Sequence, residues 1–268
     1  TIFLFCFSLN LLAINFLPYI TSIARDKNKG IQKIHIGNSY RLGGFLIVMS
    51  IILSMASKAE FQKISIYFIG IIPVFFIGLI EDIFQETSIK IRLLFIIISS
   101  TVLVLGSESI IYDADLRFFN TFLQIPLMPY IFTIIGITVT ANAWNFIDGL
   151  NGLSSGLAII VLLLIGYLAQ LEGLLYLRSI TWIVAFGTAG FFLINILSSR
   201  IFLGDAGALS LGLLVGWSGV ELVTKGKSVS TWVIFFIIIY PATEIIVSFF
   251  RRVIKKEFPT KADNLHLH

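Results

Sequence analysis

Charge is scarce in this chain. Of its 268 residues only 13% are Asp, Glu, Lys or Arg, against about 25% in an ordinary soluble domain. With 57% apolar residues and a mean hydropathy of +0.97, a water-soluble fold is excluded. Cysteine is nearly absent too: Cys6 stands alone inside the first apolar run, which rules out an internal disulfide and points to packing. No internal repeat, low-complexity tract or soluble linker divides the sequence. The first apolar run lacks the basic leader of a cleaved signal peptide and is followed by Arg25, Lys27 and Lys29, so it reads as a retained helix. The net charge of +4 does not imply nucleic acid, because basic residues flank membrane spans for reasons of topology.

What the chain does have is apolar length. A bilayer core takes about 20 helical residues to cross, and backbone exposed to lipid must satisfy its own hydrogen bonds. Runs near 2–22, 42–57, 64–80, 91–106, 127–141, 152–169, 179–197, 207–223 and 229–250 predict an all-α polytopic transmembrane bundle of about nine helices. They form one integral membrane domain over 1–268. Connections after odd-numbered runs carry thirteen of the nineteen Lys and Arg residues and all three histidines. The positive-inside rule makes that side cytoplasmic and puts the N-terminus outside.

Five odd-side segments concentrate the polar residues. Lys33 to His35 with Tyr40-Arg41-Leu42-Gly43-Gly44 offers a guanidinium fork beside a backbone that an anion can approach, or a plain basic loop with a glycine turn. Glu81-Asp82 ends the third run; adjacent acids at a membrane edge need solvent, a partner or a cation. Lys90 and Arg92 follow, suited to phosphate or to topology alone. Asn142 to Gly152 supplies three asparagines, Asp148 and two glycines, a set suited to a nucleotide base and ribose, with helix capping by Asp148 or Asn151 as the alternative. Phe202-Leu203-Gly204-Asp205-Ala206-Gly207 puts a carboxylate at a helix mouth, where it caps the helix or holds magnesium. The fifth segment runs from Arg251-Arg252 through Lys255-Lys256 and Asp263 to His266 and His268, basic enough to attract anionic lipid. Away from these, Glu244 with Pro241 lies inside the ninth run, read as an internal pairing site and a kink. Glu221, Glu108, Asp113 and Asp115 are expected at the outer interface.

In order and in type these segments resemble those of the polyprenyl-phosphate N-acetylhexosamine-1-phosphate transferases. Lys33 to Gly44 is similar to that family's basic-His and Arg-Gly-Gly loop, and Glu81-Asp82 to its Asp-Asp pair. Asn142 to Gly152 resembles its Asn-Ala-x-Asn…Asp-Gly-x-Asp-Gly loop, Phe202 to Gly207 its Phe-x-Gly-Asp-x-Gly turn, and Asp263 to His268 the start of its Asp-x-x-His-x-His-His loop. The chain departs from the pattern at Glu81, Asn151 and Ala208, where an aspartate, an aspartate and a serine are usual. It also ends at His268, ahead of the family's next histidine and last helix or helices, so a fragment is expected.

The resemblance implies transfer of sugar 1-phosphate from a UDP-N-acetylhexosamine to polyprenyl phosphate, with release of UMP, on the cytoplasmic face of a bacterial inner membrane. It implies Mg2+, with Mn2+ as the alternative, at Asp205. Asp82 would activate the acceptor phosphate; Asn145, Asp148 and Asn151, with Asn142, would contact uridine, and Phe202 would stack under the base. His266, His268 and Arg41 would bind diphosphate oxygens, supported by Glu81 and Lys90. A homodimer is left open. The rivals are a secondary transporter, which would place its ionisable groups near the bilayer midplane in repeated halves, and a scaffold for anionic lipid, which leaves the Asn142 to Gly152 loop without a purpose.

Overall fold

A computed structural model describes residues 2–20, 40–56, 61–198 and 200–254. Among them are eleven helices: α1 (Ile2–Ile20), α2 (Gly43–Ala56), α3 (Phe61–Phe84), α4 (Ile89–Ser107), α5 (Arg117–Leu123), α6 (Met128–Phe146), α7 (Leu153–Leu171), α8 (Leu175–Ser198), α9 (Gly204–Lys225), α10 (Thr231–Ile237) and α11 (Ile239–Ile254). The fold is all-α. Helices α4, α7, α8 and α9 are each long and apolar enough to cross a membrane, and the bent pairs α5–α6 and α10–α11 bring the total to as many as six.

All nine apolar runs became helix, but the count of about nine is too low for two reasons. The seven residues of α5 were read as outer loop; too short to register as an apolar run, they turn 115° from α6. The ninth run is broken at Ile238, and its halves meet at 67°. Pro241 explains the break: without an N–H, and with a ring that clashes with the carbonyl four residues earlier, it fits the first turn of α11 but not the middle of one long helix.

Helix α9 is the axis. Gly, Ala and Ser let neighbouring helices approach it closely, as lipid-embedded packing requires, and α2, α3, α4, α6, α7, α8 and α10 all pack on it. From Ala206 to Leu222 it is buried throughout. Trp144 and Trp217, both fully buried, fill the space around it.

The alternation of connections is realised as two separate polar ends. At one end, Tyr40 N–H donates to Arg200 O at 2.9 Å and Phe202 N–H donates to Tyr40 O at 2.8 Å, joining the chain before α2 to the chain before α9. At the other, Ser230 Oγ and Thr231 N–H donate to the Asp115 carboxylate, and Lys227 N–H donates to Glu172 at 2.7 Å. Odd connections meet odd, and even meet even.

Candidate active site

The start of α9 is built by contacts from outside it. Gly204, at φ 73°, turns the chain into the helix, and a Cβ there would stand 2.6 Å from both carboxylate oxygens of Asp82. Those oxygens accept the Asp205 N–H at 2.8 Å and the Ala206 N–H at 2.9 Å. Asp82, fully buried in the last turn of α3, therefore caps α9 from another helix, where a negative charge is stabilised by exposed N–H groups and the helix dipole. Gly44 allows the matching approach of α2: a Cβ there would lie 2.1 Å from Gly207 N. The paired glycines of the first motif thus serve helix contact, with Gly43 and Gly44 N–H donating to Phe202 O and Leu203 O.

Freed from capping, the Asp205 side chain forms an ion pair with Arg92 in the first turn of α4. Arg41 lies near enough to act on the charges of both Asp82 and Asp148, and Asp205 acts on both as well. Asp148 sits in the turn after α6, partly exposed. Its surrounding protein, then the neighbouring Asp205 charge, push its pKa up to about 8 against a weaker pull from Arg41. Three carboxylates and two guanidiniums thus share one end of the bundle.

The Asn142 to Gly152 loop is fixed rather than hanging free. Trp144 Nε1 donates to Ser154 O at 3.2 Å, and the Gly152 N–H donates to Asn195 Oδ1 at 2.8 Å. Asn195, buried in α8, uses its amide nitrogen on Ile201 O at 2.8 Å, so a single side chain ties this loop to the turn before Asp205. The N-cap position of helix α7 is Gly152, at φ 77° and with no side-chain cap of its own. Asn145, Asn151 and Phe202 are partly exposed at this end, and Asn142 is exposed.

Other candidates fall differently. Glu81 Oε2 accepts the Thr87 N–H at 2.7 Å and braces the α3–α4 turn. Lys90 is exposed, and Arg92 is the basic residue of α4 that reaches Asp205. Two residues apart on a helix is about 200°, so only one of the two can face inward. Asn195 was missed, although a lone amide inside the apolar run 179–197 was the available signal. Lys33, His35, His266 and His268 lie outside the described residues. Glu221, expected at the interface, is buried, bonded by the hydroxyls of Ser109 and Tyr176.

The sequence profile of glycosyl transferase family 4 matches residues 64–223, more than half of the chain. The chain belongs to glycosyl transferase family 4. This family 4 chain is 27% identical over 243 residues to a Bacillus subtilis protein named probable undecaprenyl-phosphate N-acetylglucosaminyl 1-phosphate transferase, covering 88% of this chain and 66% of that one. The undecaprenyl-phosphate alpha-N-acetylglucosaminyl 1-phosphate transferases of Thermotoga maritima and Escherichia coli K12 are each 28% identical, over 85% and 72% of this chain. The chain spans 66% of the Thermotoga protein and 54% of the Escherichia one, so under two thirds of the relatives' own length.

A divalent cation suits the donor set of this family 4 site. No group of three or more His, Cys, Asp or Glu among the described residues closes around one point, but Mg2+ is commonly held by one or two carboxylates with water and substrate phosphate. Asp82, Asp148 and Asp205 stand against only two guanidiniums, Arg41 and Arg92, and Asp205 with Asp148 raises the number of carboxylate oxygens a cation could meet.

Proposed function

We propose that this chain carries the core of an enzyme that transfers N-acetylhexosamine 1-phosphate from a UDP-sugar to polyprenyl phosphate, releasing UMP and leaving a lipid-linked diphosphate sugar. The observation that carries the reading is the convergence of Asp82, Asp148, Asp205, Arg41 and Arg92 around the start of α9, at the end of the bundle where the odd connections meet. The names of the relatives favour N-acetylglucosamine as the sugar and undecaprenyl phosphate as the acceptor.

An oxygen of the acceptor phosphate forms a bond to the sugar-bearing phosphorus as the bond from that phosphorus to the bridging oxygen breaks, and UMP leaves with that oxygen. Two anions must meet, so the barrier is dominated by charge repulsion. Asp205, with Asp148, would hold Mg2+, which neutralises phosphate oxygens when bound. Arg41 and Arg92 offer planar forks to the diphosphate, and His266 and His268 are assigned the same task. Asp82, buried behind the start of α9, acts on the acceptor through the Asp205 and Ala206 backbone that it fixes. The part-exposed Asn145 and Asn151 and the Phe202 ring take the uridine. The site is assigned to the cytoplasmic face, where the nucleotide sugar is available.

The test uses membranes carrying the complete protein, polyprenyl phosphate, Mg2+ and a panel of UDP-sugars. UMP and a lipid-linked product should appear with UDP-N-acetylglucosamine above the other sugars. No UMP with any sugar would remove the reading.

A further inference from the structure

We infer that Arg92 is a built-in rival of the divalent cation for Asp205, so that cation and nucleotide diphosphate enter this site together; the inference rests on the function proposed above. Asp205 is held twice, by different means. Its backbone is fixed by the Asp82 carboxylate at 2.8 Å, while its side chain is bound by Arg92. Because the first contact already places Asp205, the second is not required to position it. What Arg92 supplies is charge.

That charge is loosely enough held to be exchanged. The Arg92 and Asp205 side chains are 24% and 15% exposed, neither sealed in the interior nor at the open surface. Removing one member of a sealed pair costs several kcal/mol, whereas an exposed pair is screened to little. The backbone under Arg92 is secured by the Ser88 cap of α4, whose hydroxyl accepts the Ile91 N–H at 3.3 Å. The long side chain can therefore swing without disturbing its helix.

With Arg92 on Asp205, an arriving dication meets a carboxylate already neutralised. An arriving diphosphate meets the carboxylates of Asp82, Asp148 and Asp205 with the Arg92 guanidinium already engaged. When both arrive, the cation takes Asp205 and the diphosphate takes the released guanidinium, so each removes the obstacle to the other. Such coupling is reciprocal by thermodynamic necessity.

The test is Mn2+ binding to the purified complete protein, read by electron paramagnetic resonance with and without UDP. In the wild type Mn2+ should bind weakly alone and more tightly with UDP. Arg92→Gln should bind Mn2+ alone more tightly, by about fivefold or more, and show a smaller further effect of UDP. Arg92→Met serves if the glutamine variant does not fold, and Asp205→Asn marks the site by abolishing Mn2+ binding. Unchanged or weaker Mn2+ binding in the Arg92 variants overturns the exchange; if the wild type still forms UMP, the transferase reading survives it. Failure of the wild type to bind Mn2+ at all, with or without UDP, overturns the exchange and the cation assignment together.

Discussion

One helix carries two carboxylates, and its two ends treat them in opposite ways. At the far end of α9, Glu221 is sealed from solvent and bonded by neutral hydroxyls, from Ser109 and Tyr176, with Trp217 closing the layer through Ser107. At the near end, Asp205 is partly exposed, paired with a guanidinium and set among further charges from three other segments. A carboxylate enclosed by neutral donors holds helices together. One left reachable, in a field of mixed charge, is available for chemistry.

Asp205→Asn should separate the ends most clearly, lowering sugar-phosphate transfer by on the order of a thousandfold while Glu221→Gln leaves transfer largely intact. UMP release by each variant measures both, and a strong loss in Glu221→Gln would erase the distinction. Next in size, Asn195→Leu should cost about 2 kcal/mol of stability by leaving the Gly152 N–H and Ile201 carbonyl without their partner. Transfer should fall as well, since the loop and the Asp205 turn lose their tie; thermal unfolding in detergent and a kinetic assay read the two effects. Glu221→Gln should cost about 1 kcal/mol, because the amide carbonyl still accepts from one hydroxyl.

A pH slope is expected at the near end as well. Asp148 titrates at about 8 in the fold, against 3.8 for the unperturbed side chain. Between those values the folded chain keeps a proton that the unfolded chain has released, so stability declines as pH rises toward about 8 and levels off above it. Melting temperatures from pH 6 to 9 without divalent cation should fall in the wild type and stay flatter in Asp148→Asn. Equal slopes would show that the fold does not raise the Asp148 pKa, by burial or by the Asp205 charge.

Much of the site was legible because the chemistry needs rare residue types. Acids, amides and arginines stand out against long apolar runs, and the alternation of connections assigned them to one side before any contact was known. Arg92 was not separable from Lys90, because spacing along a helix does not say which face turns inward. Asn195 was hidden because its partners are backbone groups 43 and 6 residues away. Glu221 was misplaced because position along a span does not reveal the hydroxyls that Ser109, just past α4, and Tyr176, in α8, bring to it.

From its sequence alone the protein is a helical membrane bundle with polar residues sorted to its ends, since lipid admits few other ways to satisfy a backbone. Hydropathy and period are local quantities, and they carried that much. Which carboxylate caps α9, which guanidinium meets Asp205 and which amide ties two loops together were decided by packing. Each is a contact between segments far apart in the chain, fixed only when glycines at Gly44, Gly78 and Gly207 let α2 and α3 close against α9.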